Sequence, residues 1–177
     1  MENSEKKVMK RWKMLCIDAI LTALLIFIDQ FSKHLAIVYL KDKPAIKLID
    51  GVLELQYLEN RGSAFGMLQN QKFFILFVGI VCMAVVLFFL FKLPNQKKFR
   101  IVHVLIALIV SGGIGNMIDR LALGYVVDFI DFALIDFAVF NIADSFVCVG
   151  AGILILSLVL DIVSETKLAK ASKDNKK

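Results

Sequence analysis

Four apolar runs, at about 15–38, 73–91, 101–123 and 140–162, constrain this chain more than any other feature. Crossing a hydrocarbon layer about 30 Å thick takes roughly 20 residues of helix, and each run is long enough. Hydrophobic residues fill 59% of the 177 positions and mean hydropathy is +0.76, more apolar surface than one small water-soluble core could hide. The expected fold class is therefore an all-α membrane protein with four transmembrane helices. An even number of spans puts both termini on the same side.

The first run resembles a secretory signal peptide in being preceded by Lys6, Lys7, Lys10, Arg11 and Lys13. It is too long for one, however, and it runs into Asp29, Gln30 and Lys33 with no small-x-small cleavage site. It is read as a retained span. Lys92, Lys97, Lys98 and Arg100 separate spans two and three, and Lys167, Lys170, Lys173, Lys176 and Lys177 follow span four. All three basic clusters fall on one side, which the positive-inside rule makes cytoplasmic. The net charge of +5 thereby has a sufficient explanation, and no nucleic-acid partner is expected. Cys16, Cys82 and Cys148 each fall within a span, without pairing or metal-ligand spacing, and read as core thiols. His34 and His103 belong near opposite membrane faces, so they share no metal.

The stretch 41–72 carries strand signals. Ile46-Lys47-Leu48-Ile49 and Leu53-Glu54-Leu55-Gln56-Tyr57 flank Asp50-Gly51, a two-residue hairpin turn. Leu53, Leu55 and Tyr57 would share one face, as suits a small sheet at the lipid–water boundary. One membrane domain over 1–165 is expected, followed by an unstructured basic cytoplasmic tail at 166–177.

Helical rise of about 1.5 Å per residue sets the depth of the polar residues. Asp29 lies sixteen residues beyond Lys13 and Asn116 sixteen beyond Arg100, each roughly 24 Å up, near the outer edge of the hydrocarbon. Asp119 and Arg120 follow one turn higher, Asn141 and Asp144 open span four at that level, and Asp128 is a short loop from Arg120. Ionisable groups at membrane depth are costly and face the bundle interior or a wet cavity. Asn116 and Asp119 stand three apart on one helix, as Asn141 and Asp144 do on another. Gly112, Gly113, Gly115, Gly150 and Gly152 would let the helices approach closely.

Asp128 and Asp144 sit among apolar residues, where desolvation raises a carboxyl pKa, and mutual repulsion raises one of a facing pair further. A pair sharing one proton offers a base and an acid together. That is the logic of an aspartic peptidase, in which the pair activates water against an amide and then protonates the leaving nitrogen.

Five motifs, in order and at suitable spacing, closely resemble those of bacterial lipoprotein signal peptidase, or signal peptidase II. They are Asp29-Gln30, Asn60-Arg61-Gly62-Ser63-Ala64-Phe65-Gly66, Gly115-Asn116-Met117-Ile118-Asp119-Arg120, Val126-Val127-Asp128-Phe129 and Phe140-Asn141-Ile142-Ala143-Asp144-Ser145. The resemblance implies an inner-membrane aspartic endopeptidase that cuts prolipoproteins before the diacylglyceryl-modified cysteine. By motif, Asp128 and Asp144 would be catalytic, Asn60, Asn116, Arg120 and Asn141 would line and order the site, and Asp29, Asp119 and Gly115 would support it. The resemblance also implies an extracytoplasmic cradle of strands after the first helix, in agreement with the hairpin. The loop at 132–139 follows no matching pattern.

Its expected partners are diacylglyceryl-prolipoproteins and membrane lipids, acting on a monomer with both termini cytoplasmic and the site near the extracytoplasmic face. No metal or other cofactor is expected, as the sequence has no histidine cluster. The alternative is a small carboxylate-dependent transporter, for which buried carboxylates are equally expected. It fits less well, because the carboxylates gather at one face with no relay descending through the membrane.

Overall fold

The computed structural model describes residues 2–63, 67–93, 99–135 and 137–174. In chain order these form α1 (Glu2–Leu40), β1 (Ile46–Ile49), β2 (Leu53–Asn60), α2 (Lys72–Lys92), α3 (Arg100–Ala122), β3 (Val126–Asp131), a short 3-10 turn at Ala133–Ile135 and α4 (Ile142–Asp174). The segments Arg11–Leu40, Lys72–Lys92, Arg100–Ala122 and Ile142–Ser164 are long and apolar enough to cross a membrane. The expected class of four spanning helices with a small sheet is borne out.

Two helices extend past their apolar stretches. α1 starts at Glu2, and α4 continues to Asp174 through most of the tail expected to be unstructured. Lys and Glu occur in both extensions, with Met in the first and Ala and Leu in the second, and their high helix propensity lets the helices propagate beyond the hydrocarbon. Asp136 of the 132–139 loop and Ala64, Phe65 and Gly66 of the second motif lie outside the described residues.

The expected hairpin forms, with β1 and β2 antiparallel, but Ile49 pairs with Leu53, so the turn holds three residues, Asp50, Gly51 and Val52, in place of the expected two; Gly51 supplies a positive φ of +68°. A third strand was not expected: β3 pairs antiparallel with β2, giving the order β1-β2-β3. The registers place Leu55 opposite Ile130 and Leu58 opposite Asp128, with an irregularity between them. Alternation along β3 then sorts its side chains. Val127 and Phe129 pack with Ala36 and Leu40 of α1, against Leu55 and Tyr57 of β2. Val126 and Asp128 point the other way, into a cavity.

α3 packs against each of the other three helices. Small residues make this possible: a side chain at Gly112 would collide with the Ala143 carbonyl of α4, and one at Gly115 with the Asp29 carboxylate of α1. Gly150 is also close to α3, where an added Cβ would lie 2.9 Å from the Leu105 carbonyl oxygen, whereas Gly152, expected to act likewise, faces open space. The three cysteines also depart from expectation. Cys16, Cys82 and Cys148 are all exposed, the last two of them along the cavity that Asp128 enters.

Candidate active site

The first turn of α4 is built around Asn141, which is fully buried. Its side-chain oxygen accepts the Asp144 backbone N–H at 2.9 Å, and the Asp144 carboxylate accepts the Asn141 backbone N–H at 3.2 Å. This reciprocal pair is a capping box, the usual solution for the unpaired N–H groups of a first turn. The three-residue spacing of Asn141 and Asp144, expected to mark a helix face, thus marks a helix start.

The same Asn141 side chain donates through Nδ2 to Asp128 Oδ1 at 2.6 Å. One amide therefore touches both motif aspartates and fixes the strand against the helix. Asn60, the last residue of β2, donates to the other Asp128 oxygen at 2.9 Å and is itself held by the Gly62 N–H at 3.0 Å. Asn116 of α3 donates to Asp144 Oδ1 at 2.7 Å, and its own oxygen accepts from Asn141 Nδ2 at 3.1 Å. Three asparagines supply neutral N–H donors to the two carboxylates.

Asp128 is 1% exposed. Burial pushes its carboxyl up from 3.8 to about 6 and the Asp144 charge adds to this, while bonds from Asn60 and Asn141 and the Lys33 ammonium oppose it. Both aspartates line a cavity of about 700 Å³ that runs between α2, α3 and α4. Polar groups gather at one end of it, with Asn60, Asn116 and Arg120 beside the aspartates, and the remainder is largely apolar, with Leu76, Met83, Val86 and Ile109 among its walls. The Arg120 guanidinium donates to the carbonyls of Asn116 and Gly62, at 3.2 and 2.9 Å, tying α3 to the loop after β2.

Behind this layer lie Asp29 and Asp119, both buried. Asp29 accepts the Ala143 N–H at 3.0 Å, and Asp119 accepts the Val127 N–H at 3.1 Å. Gly115 leaves room for the Asp29 carboxylate. All nine residues singled out from the sequence thus fall in one connected cluster. Lys33 and Gln30 belong to it as well: Lys33 Nζ lies 3.0 Å from Asp29 and 3.1 Å from Asp119, and Gln30 bonds to the same two carboxylates. No role was expected of Lys33, because a lysine near the end of a span ordinarily extends to the interface. The signal that could have found it is Asp29, four residues earlier on the same helix face.

The family model described as Signal peptidase (SPase) II matches residues 21–160. A protein of Streptococcus thermophilus named lipoprotein signal peptidase is 49% identical over 134 residues, covering 76% of this chain and 86% of that protein. One of the same name from Caldanaerobacter subterraneus subsp. tengcongensis is 46% identical over 135 residues, covering 76% and 90%. Among solved structures, a bacterial membrane enzyme determined by the in meso method superposes with a TM-score of 0.73 at 28% identity, covering 82% of this chain and 89% of the other.

Proposed function

The chain belongs to the signal peptidase II family and removes signal peptides from prolipoproteins, and we propose that it does so as an aspartic endopeptidase whose catalytic pair is Asp128 and Asp144. The observation that carries this reading is the Asn141 side chain, which bonds to Asp128 and caps Asp144 at once, at the polar end of the cavity. The reaction needs one of the two carboxyls ionised and the other protonated. The ionised member takes a proton from water as the water oxygen bonds to the scissile carbonyl carbon. The protonated member hydrogen-bonds the carbonyl oxygen, and a proton then passes to the leaving nitrogen as the C–N bond breaks.

Asn60, Asn116, Arg120 and Asn141 keep the carboxylates oriented, and Asp29, Asp119 and Gly115 support them from behind. Cleavage falls before the diacylglyceryl-modified cysteine. The apolar part of the cavity suits the hydrophobic segment of a signal peptide, and the acyl chains remain in lipid. In our reading the enzyme is a monomer with its termini in the cytoplasm and its site towards the extracytoplasmic face. A transporter gains no support from the polar cluster, whose members bond to one another at one end of the bundle.

The test is incubation of the purified protein in detergent with a lipidated prolipoprotein, followed by mass analysis of the product. Mature lipoprotein beginning at the modified cysteine is expected, with and without EDTA. Loss of cleavage in EDTA, restored by a divalent ion, would replace the carboxyl pair with metal-assisted hydrolysis.

A further inference from the structure

Lys33 is 2% exposed, and its ammonium has three oxygen partners. Besides Asp29 at 3.0 Å and Asp119 at 3.1 Å, it donates to Asn116 Oδ1 at 2.9 Å. What those partners hold is specific. Asp29 accepts the backbone N–H of Ala143, the residue before Asp144, and Asp119 accepts that of Val127, the residue before Asp128. Asn116 donates to Asp144 itself, and it can do so only with its carbonyl oxygen turned towards Lys33 and Asn141. An ammonium has three donors and no acceptor, so it selects that amide orientation over the flipped one.

We infer that Lys33 is a positioning residue of the cleavage reaction: one buried ammonium clamps the carboxylates that fix both aspartate-bearing segments and sets the amide that faces Asp144. The inference rests on the reading of Asp128 and Asp144 as the catalytic pair. A buried lysine serving only to neutralise Asp29 and Asp119 would have no need of the bond to Asn116, and a buried ion pair is by itself weak evidence of a stability role.

The charged groups around the pair are Asp29 and Lys33 on α1, Asp119 and Arg120 on α3, Asp128 on β3 and Asp144 on α4, while β2 contributes the neutral Asn60. Removing the Lys33 cation from this set makes deprotonation of Asp128 harder.

Lys33→Met alone leaves two buried carboxylates without their cation and is expected to fold poorly, so the decisive variant is Lys33→Met with Asp119→Asn, compared with Asp119→Asn alone. In the double variant Asp29 keeps its bonds from Gln30 and Ala143. Relative to Asp119→Asn, kcat on a lipidated prolipoprotein should fall about 10- to 100-fold, as misplacement of a catalytic group by a fraction of an ångström allows. KM should stay within about twofold, and the limb of the pH–rate profile set by Asp128 should move to higher pH. Lys33→Gln in the same background keeps a donor for Asn116 without the charge; it should recover part of kcat and leave that limb displaced. A double variant with the kcat and pH limbs of Asp119→Asn would overturn the inference. Asp128→Asn is assayed beside it: retained turnover there removes the aspartic reading, whereas an inactive Asp128→Asn beside a fully active double variant removes only the role of Lys33.

Discussion

The second and third spanning helices show how little hydrophobicity decides position in this bundle. α2 is the more apolar, with a mean hydropathy of 3.2 against 2.1 for α3, yet 6% of its apolar window is buried against 44% for α3. In water the order would be reversed. Lipid chains are as apolar as leucine, so no hydrophobic force draws α2 inward, and the centre goes to the helix whose small and polar residues let others approach and bond. α3 offers Gly112 and Gly115 for close contact and Asn116, Asp119 and Arg120 for the polar cluster. α2 contributes mainly Leu76 and the apolar side of the cavity.

The largest effects should come from the centre. Asp128→Asn and Asp144→Asn each keep the size of the side chain but can neither share a proton nor take one from water. Cleavage of a lipidated precursor should drop by about 10⁴-fold in each, while thermal unfolding in the same detergent stays at or above that of the wild type. Near wild-type turnover in either variant would refute the catalytic pair.

Next in size is a pH effect confined to the same cluster. The Asp128 carboxyl is raised from 3.8 to about 6 in the folded protein, so the fold favours its neutral form. The stability this confers is fully present below about pH 4 and is lost as pH rises through about 6, a change on the order of 3 kcal/mol. Unfolding temperature in detergent should therefore decline from pH 4 to 6.5 in the wild type, and Asp128→Asn should flatten that decline. An identical decline in both proteins would assign it to other groups.

A smaller effect compares the two helices directly through one substitution. At Gly112 an added Cβ would meet the Ala143 carbonyl and lie 2.8 Å from Val147 Cγ2, whereas at Gly79 of α2 the nearest atom would be Met117 Sδ at 3.6 Å. Gly112→Ala should destabilise by about 1–3 kcal/mol through overpacking. Gly79→Ala should be neutral or stabilise by up to about 1 kcal/mol, since a helical glycine is being replaced. Equal melting shifts for the two would mean that α3 is not the packing centre.

What the sequence disclosed follows the same division. Spans are set by the length of apolar runs and the hairpin by Asp50-Gly51, both local signals. The gathering of Asp128 follows from its short loop to Arg120, and that of Asp29, Asn116, Asp119, Asn141 and Asp144 from helical rise, because depth is a one-dimensional quantity. Facing is not, and no local signal carries it. Cys82 and Cys148 could as well face lipid as protein; both are exposed and line the cavity. β3 went unrecognised because the β2 strand it pairs with is distant in the chain, with Asn60 opposite Val126, and the run from Tyr125 to Ile130 sits between two spans where a loop is expected. Likewise, nothing local marks the buried pairing of Asp18 with His103 at 2.7 Å, far along α1 from the polar cluster.

The smallest effects belong to the outer face of α2. Phe77 is 65% exposed and Val85 49%, and neither lines the cavity. If lipid is the only neighbour of this face, Phe77→Leu and Val85→Leu exchange one apolar surface for another in an apolar solvent. No cavity opens and no contact is lost, so stability should shift by less than about 0.5 kcal/mol and turnover should be unchanged. The measurement is the unfolding temperature and cleavage rate of each variant in detergent and again in lipid bilayers. Loss of more than about 1 kcal/mol, well above the usual surface effect, would show that protein covers the face, as in a dimer. Shape-specific packing is the contribution that remains when hydrophobic burial cancels, and substitution between apolar residues disturbs nothing else. A neutral result in bilayers therefore supports the monomer and leaves α2 as a wall of the cavity supported from one side, by α3.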